Sequence, residues 1–526
     1  MRILISESLA QSGIDLLCAE KDWEVVVRPH LLPEQLTKEI QQCDALVVRG
    51  QTKVTSEIIQ AATRLKLIGR AGTGVDNIDL EAATHKGIVV MNAPGGNSVS
   101  VAELTLGLML ALTRFIPLAS SSTKRGKWER KDFTGFELKD KTLGIIGFGK
   151  IGSEVARRAK AFEMKVVAYD PFVSGRKAAD QAVKLVGWDQ LLSAADILTL
   201  HVPLLDQTKE ILNSKSLARM KNGVRIINTA RGELINEFHL ADALDRGRVA
   251  AAALDVLTEE PPSAEHFLVN HPKVIVTPHI AASTLEAQQE VGIEIAEQVK
   301  AFLKDGVIQN AINFPWVSLD QYQKLGPFIS LGEKLGAVVS QISSGRMNQI
   351  SIRYYGDTVD NNTNIIGNAV IVGILKSILC DVNTINARKL LEQRGVELVE
   401  TCSSRQRSYS NLISVRLKTD MGEEWVEGTI LSKDKIRLVS ADGIDIEAPL
   451  TGIILFIRNN DTPGVIGQIG TLLGNQHVNI ANFALGRAET NQYAVGVVNV
   501  DSSISDELLG QISSCPSVLF ARVVQF

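Results

Sequence analysis

The stretch Leu143-Gly144-Ile145-Ile146-Gly147-Phe148-Gly149-Lys150-Ile151-Gly152 limits the fold of this chain more than any other. An apolar run ends in glycines spaced G-x-G-x-x-G, and a helical pattern follows from Ser153 to Phe162. A second apolar run, Val166–Tyr169, is closed by Asp170. Strand, tight turn, helix, strand and acid in this order describe a dinucleotide-binding βαβ unit. Gly147 permits the sharp turn, Gly149 lets the backbone approach a pyrophosphate, and Gly152 lets the helix lie close to the sheet. Lys150 and Ile151 of the motif are also expected at the cofactor, and the N-terminus of the helix that follows offers free N–H groups and a positive dipole end that favour phosphate. Asp170 stands where a carboxylate accepts hydrogen bonds from a ribose 2′-hydroxyl. Pro171 and Phe172 follow it and the nearest arginine is Arg176, which favours NAD over NADP.

The surrounding pattern predicts a multidomain α/β chain. Residues 1–97 alternate short apolar strands (Ile3–Ile5, Glu24–Val27, Ala45–Val48, Leu65–Ile68, Ile88–Met91) with helical segments, the mark of a parallel sheet. One long, mostly buried helix is expected from about Ser98 to Ser121. A second parallel sheet runs from Thr142 through Ile197–Val202, Val224–Asn228, Ala250–Leu254 and Val274–Thr277. The helical pattern Leu285–Leu303 then crosses back to the first domain. The expected domains are 1–97 plus 284–310 for substrate, 98–283 for the dinucleotide with a cleft between them, 311–450, and 451–526. Residues 311–450 read as an α+β domain, with helices at Gly367–Leu379 and Ala387–Arg394. Ser403, Ser404, Arg405, Arg407 and Ser408 form a basic, hydroxyl-rich patch there, read as a solvated loop with an anion site as the alternative. The last segment has the βαββαβ order of a ferredoxin-like fold and suits a binding or regulatory role.

Composition narrows the function. A net charge of −4 provides no basic field for nucleic acid. The longest strongly apolar run, Leu104–Leu112, is too short to span a bilayer. Five scattered cysteines (Cys18, Cys43, Cys380, Cys402, Cys515) with no C-x-x-C spacing read as reduced cytosolic thiols in cores or strands, with no metal site. A cytoplasmic protein is expected.

Three residues at strand ends of the second sheet suit hydride-transfer chemistry. Arg231 follows Val224–Asn228, Glu260 follows Ala250–Leu254, and His279 follows Val274–Thr277. Oxidising a secondary alcohol needs a base for the hydroxyl proton, and imidazole titrates near neutral pH. A carboxylate on the other ring nitrogen fixes the tautomer and stabilises the imidazolium. An arginine offers a planar fork to a substrate carboxylate. Each residue alone has an ordinary structural alternative: a hydrogen-bonded loop histidine, a surface ion pair, a solvated acid.

With the fingerprint, the segments Ile227–Glu233, Ala253–Val256 with Thr258–Pro261, and Pro278–Thr284 make the chain resemble the D-isomer-specific 2-hydroxyacid dehydrogenases. The resemblance implies two Rossmann-like or flavodoxin-like domains around a cleft, NAD as cofactor, and Arg231, Glu260 and His279 as the catalytic set. It also implies Thr73, Val202, Thr229, Ala230 and Asp255 around the cofactor. Val47–Arg49, Gly69–Asn77 and Gly126–Arg130 extend it to members that act on a phosphorylated hydroxyacid and carry an intervening domain and a C-terminal ACT domain. Arg49, Arg70, Gly72 and Arg130 are then the expected substrate-binding residues, Arg130 from a neighbouring subunit; a structural ion pair is the alternative for Arg49. Gly50 replaces a serine found in some relatives. In the ACT segment Asn459, Asp461 and Asn479 match positions that bind serine, with Asn459 in place of a histidine or tyrosine. The resemblance further implies a dimer or tetramer. The rival readings are a dehydrogenase of unphosphorylated hydroxyacids, such as a glyoxylate or hydroxypyruvate reductase, and a non-catalytic NAD-sensing protein.

Overall fold

A computed structural model describes all residues except 316–318, 357–362, 380, 404, 406–407, 433–434 and 489–492, together with the side chains of 177, 319–320 and 322–323. Cys380, Ser404 and Arg407 therefore lie outside the described residues.

Four sheets organise the chain. The first contains β1 (Arg2–Ile5), β2 (Glu24–Val27), β3 (Ala45–Val48), β4 (Leu67–Arg70) and β5 (Val89–Asn92) in the order β2-β1-β3-β4-β5. All pairings are parallel. Strands β3 and β5 are buried at every residue, as a sheet covered on both faces requires. The helix Leu285–Asp305 covers part of this sheet, its Ile295 and Val299 lying against Gly69 of β4. It also meets the helix Gln11–Cys18 at a glycine crossing, where a Cβ on Gly13 would stand 2.4 Å from the Gly292 carbonyl oxygen. Lys300 and Lys304 of the same helix clamp Glu20.

The second sheet holds β6 (Thr142–Ile146), β7 (Lys165–Tyr169), β8 (Lys184–Leu185), β9 (Ile197–Leu200), β10 (Val224–Asn228), β11 (Val249–Leu254) and β12 (Val274–Val276). Its order is β12-β11-β10-β9-β6-β7-β8, again wholly parallel. Counted from β6 this is the doubly wound order with one further strand. Its switch point lies between β6 and β9, at the fingerprint turn.

The single helix expected over Ser98–Ser121 is two helices, Ser98–Thr113 and Ile116–Lys124, bent by 62°. Pro117 accounts for the break. It has no N–H and its ring clashes with the carbonyl four residues back, that of Thr113. That carbonyl instead accepts from the N–H of Phe136 at 3.2 Å. Phe115 takes a left-handed φ of 55° at the corner. The first helix is buried, but the second buries no residue, so the expected burial stops at the bend.

The third sheet consists of β13 (Met347–Tyr355), β14 (Glu397–Ser403), β15 (Leu412–Thr419), β16 (Glu423–Ile430), β17 (Ile436–Ala441) and β18 (Ile444–Pro449), ordered β14-β13-β15-β16-β17-β18. Only β13–β14 is parallel. Two helices, Leu319–Ile342 and Thr363–Leu375, pack together so closely that a Cβ on Gly373 would stand 1.9 Å from the Glu333 carbonyl oxygen. The first of these is not among the helices read from the sequence, and Pro327 stands inside it. Ser403, Arg405 and Ser408 of the expected patch line an open cavity of about 660 Å³ with Arg353 and Thr401.

The fourth sheet, β19 (Ile453–Asn460), β20 (Ile480–Arg487), β21 (Tyr493–Val500) and β22 (Val518–Gln525), is antiparallel in the order β20-β21-β19-β22. With the helices Val465–Asn475 and Asp506–Ser513 it forms the expected βαββαβ unit. Arg458 of β19 bridges to Glu424 and Asp442 of the third domain, all three largely buried. Asn383 and Asn386 of the third domain donate to the carbonyls of Gly87 and His85 in the first. Among the described residues no single helix is long and apolar enough to cross a membrane.

Candidate active site

The fingerprint turn has the geometry its glycines suggest. Gly147 has φ 92°, and a Cβ there would stand 2.4 Å from the His201 carbonyl oxygen. A Cβ on Gly152 would stand 2.1 Å from the carbonyl oxygen of Gly147, so helix Lys150–Ala161 lies hard against the turn. Around Gly149, by contrast, a Cβ would meet nothing within 4 Å. Gly149 caps that helix, in whose first turn Lys150 is exposed and Ile151 half-buried. Val202 borders the turn, its Cγ1 2.8 Å from the same would-be Cβ of Gly147.

Asp170 closes β7 and spans the turn. One carboxylate oxygen accepts from the Phe148 N–H (2.8 Å), the other from the Phe172 N–H (2.9 Å). A carboxylate has about four acceptor sites, so two remain for a ribose diol. These residues fit a dinucleotide: an open glycine, unused N–H groups at a helix N-terminus, and an acid at the end of the second strand.

His279 and Glu260 meet directly. Nδ1 of His279 lies 2.7 Å from Oε2 of Glu260, while Oε1 accepts from the Leu257 N–H at 3.1 Å. Burial raises the Glu260 pKa, but the hydrogen bond and charge of His279, the Leu257 N–H and Arg231 outweigh it, leaving this carboxyl below the usual range. Glu260 is therefore ionised at neutral pH, and the other ring nitrogen of His279 is left for a proton in transit.

Asp255, expected beside the cofactor, is tied into the loop that bears His279. It is 1% exposed, and its carboxylate accepts from Thr277 Oγ1 (2.6 Å) and from the N–H groups of Ile280 and Ala281 (both 2.9 Å). Its carbonyl also accepts the His279 N–H at 2.9 Å, and His279 has a left-handed φ of 53°. Asp255 thus shapes the loop that presents His279.

Asn228 does the same for the arginine, a role that its place inside a strand does not announce. Its amide donates to the Arg231 carbonyl (2.7 Å) and accepts from the Ala230 N–H (3.0 Å). Thr229 is anchored through its hydroxyl to Thr105 at 2.9 Å. Arg231 then reaches across the cleft, its Nε donating to Asp76 of the first domain at 2.8 Å.

On the first-domain side, Gly72 (φ 145°) leaves room for Arg70: a Cβ there would stand 1.7 Å from Nη1 of that arginine. Nε of Arg70 is buried with no partner among the described residues. Burial, and then the nearby charge of Arg231, push its guanidinium pKa down to about 10. The guanidinium of Arg49 donates to the Ser8 carbonyl at 3.4 Å and has no carboxylate partner among the described residues, so the ion-pair alternative has no support. The loop beneath it is fixed by Glu7, a buried acid that accepts from the N–H groups of Arg49, Gln51 and Thr52. Glu7 is not among the site residues expected from the sequence; its signal there is an acid two residues past the end of the buried strand β1. Thr73 bonds Asn97 through its hydroxyl and Asn92 through its carbonyl, at the seam between the two domains. Arg130 is exposed on the loop after Lys124 and, among the described residues, bonds to no part of this cleft.

The three expected effector residues are not brought together. β19 runs from Ile453 to Asn460, and its register through β21 sets Ile453 level with Ile480 and Asn459 level with Arg487. Asn459 and Asp461 lie at one end of the sheet, where Asp461 pairs with Arg487. Asn479 lies at the other, donating to Asp501 at 2.6 Å. At ~3.3 Å per residue the two ends are ~23 Å apart.

The D-isomer specific 2-hydroxyacid dehydrogenase NAD-binding domain matches residues 106–281, the D-3-phosphoglycerate dehydrogenase intervening domain 324–442, and the ACT domain 453–516. The chain is 40% identical to a D-3-phosphoglycerate dehydrogenase of Methanocaldococcus jannaschii, covering 100% of this chain and 99% of the relative. A protein of the same name from Archaeoglobus fulgidus is 39% identical, with 100% of both chains covered. Among solved structures, D-lactate dehydrogenase from Aquifex aeolicus, complexed with NAD and lactic acid, aligns with 60% of this chain and 100% of its own, at 29% identity and a TM-score of 0.54. The chain belongs to the D-3-phosphoglycerate dehydrogenase family, a branch of the D-isomer-specific 2-hydroxyacid dehydrogenases.

Proposed function

We propose that the protein oxidises D-3-phosphoglycerate to 3-phosphohydroxypyruvate with NAD, the first step of L-serine synthesis. The observation that carries this reading is the His279–Glu260 hydrogen bond on the strand-end loops of the dinucleotide sheet, with Arg231 projecting across the same cleft. Bound NAD supplies the hydride acceptor. Arg231 binds the substrate carboxylate and polarises the oxygen on the neighbouring carbon. His279 takes the hydroxyl proton at its free ring nitrogen, and Glu260 holds the ring and stabilises the imidazolium so formed. In the reverse direction His279 returns that proton to the carbonyl oxygen. Arg49 and Arg70 receive the phosphate; a partnerless buried Nε on Arg70 and a carboxylate-free Arg49 support this over an unphosphorylated substrate. Gly149, Lys150, Ile151 and Asp170 hold the pyrophosphate and ribose. Purified protein mixed with NAD and D-3-phosphoglycerate should produce NADH; NADH binding without turnover of any 2-hydroxyacid would favour the NAD-sensing alternative.

The ACT domain takes a small effector, and serine is our choice. Because Asn459 and Asp461 lie at the opposite sheet end from Asn479, a site that uses all three takes them from two ACT domains. Association is also supported by the exposed Ile116, Leu118 and Trp128, and Arg130 would serve a neighbouring subunit's cleft. We place the protein in the cytoplasm, where its free cysteines (Cys18, Cys43, Cys402, Cys515) stay reduced.

A further inference from the structure

The loop Ala71–Asp79 between β4 and the helix Leu80–His85 contains two polar residues with no role in the chemistry above. Asp76 belongs to the first domain, yet its carboxylate accepts from Nε of Arg231 in the second at 2.8 Å. The Arg231 guanidinium also donates through Nη1 to the Ala230 carbonyl at 2.6 Å. Two of its nitrogens are thereby fixed, and among the described residues Nη2 has no partner. The space Nη2 occupies exists because residue 74 is glycine: a Cβ there would stand 1.5 Å from Nη2 and 2.8 Å from Oδ2 of Asp76.

Asp76 also lies within the electrostatic reach of Arg70. Arg231 lowers the Arg70 pKa and Asp76 raises it, so the acid offsets the mutual repulsion of the two cations. The next residue, Asn77, donates to the carbonyls of Arg49 (2.9 Å) and Thr52 (2.7 Å), and so ties down the loop that bears Arg49. One dipeptide therefore touches the arginine on each side of the cleft.

We infer that Asp76 is a positioning residue for the reaction: from the substrate side of the cleft it fixes Arg231 so that Nη2 faces the carboxylate of the 2-hydroxyacid, in the gap that Gly74 leaves. This rests on the proposed function and adds to it a residue that acts only through Arg231. The pair is partly exposed, with side-chain accessibilities of 25% for Arg231 and 52% for Asp76, so its weight in folding is small. Its weight in catalysis is set by orientation, because a two-point arginine contact requires a fixed guanidinium plane.

A double-mutant cycle on the full-length protein tests this, with D76A, R231A and D76A/R231A compared in kcat/KM for D-3-phosphoglycerate, in KM for NAD and in Tm. We expect D76A to lower kcat/KM about 10- to 100-fold, the scale of one charge-assisted hydrogen bond, with KM for NAD and Tm unmoved. In the R231A background the same change should cost nothing further. An equal loss in both backgrounds, no loss in either, or an equal rise in KM for NAD would overturn the assignment. If D76A does not fold, D76N, which keeps the shape and loses the charge, is taken through the same cycle with the same outcomes. Failure of the wild type on D-3-phosphoglycerate would sink the function reading alone; the cycle run with whichever 2-hydroxyacid it oxidises still judges Asp76, and absence of any such turnover overturns both.

Discussion

His279→Ala should lower kcat by roughly 10²–10⁴-fold, the range for a general acid–base group, measured by steady-state NADH formation. His279, Glu260 and Arg231 were legible in the sequence because each ends or follows a strand of one parallel sheet, where such sheets gather their ligands. What could not be read was which polar neighbours hold them. Asn228 and Asp255 act through bonds to backbone groups of nearby loops, a pairing that no spacing rule encodes. His201 gives a pH effect of definite sign. Burial pushes its imidazole from 6.5 down to about 3, and its Nδ1 is buried without a partner among the described residues. The unfolded chain takes up a proton near 6.5 that the folded one refuses until about 3. Stability from this residue is whole above 6.5 and is lost as pH falls toward 3, on the order of 1.4 kcal/mol per pH unit. Denaturant titrations of His201→Gln between neutral pH and pH ~4 should show a shallower acid loss than the wild type.

At the scale of elements, the fingerprint glycines separate into two kinds. Gly152 is packed against the Gly147 carbonyl oxygen, whereas the side of Gly149 that a Cβ would occupy is open. Gly152→Ala should therefore destabilise the fold, by about 1–3 kcal/mol as for overpacking. Gly149→Ala should leave Tm nearly unchanged and raise KM for NAD several-fold, since its methyl projects where the pyrophosphate approaches. Paired thermal and kinetic measurements on both variants check this. The strands were legible because a sheet buried on both faces writes continuous apolar runs into the chain. The helices were less so. Ser98–Thr113 and Ile116–Lys124 merge into one apolar pattern unless Pro117 is given its weight, and Leu319–Ile342 hides behind Pro327 and the glycines that let it lie against Thr363–Leu375.

At the scale of the molecule, the C-terminal sheet is joined to the third domain by Arg458, held between Glu424 and Asp442 and stacked near Phe520. Burial raises the Glu424 pKa despite the arginine beside it, so removing the cation leaves two acids in a poor dielectric. Arg458→Ala should lower the stability of the C-terminal half by on the order of 3 kcal/mol while leaving kcat unchanged, as read by denaturant unfolding alongside assay. The third domain in turn bonds the carbonyls of His85 and Gly87, so the C-terminal half is connected to the loop and helix that follow Arg70. None of these bonds between domains was readable from the chain, because each pairs residues far apart in sequence or on different sheets. For the same reason the sequence grouped Asn459, Asp461 and Asn479 by resemblance, and only the strand register separates them. The first domain's arginines, on this reading, select a phosphorylated hydroxyacid for the hydride chemistry opposite. The most direct test is kcat/KM for D-3-phosphoglycerate against D-glycerate in the same enzyme with NAD. We expect a preference of at least about 10²-fold for the phosphorylated acid, since every charge-assisted hydrogen bond that D-glycerate cannot make costs on the order of 1.5–3 kcal/mol; equal values for the two acids would contradict it.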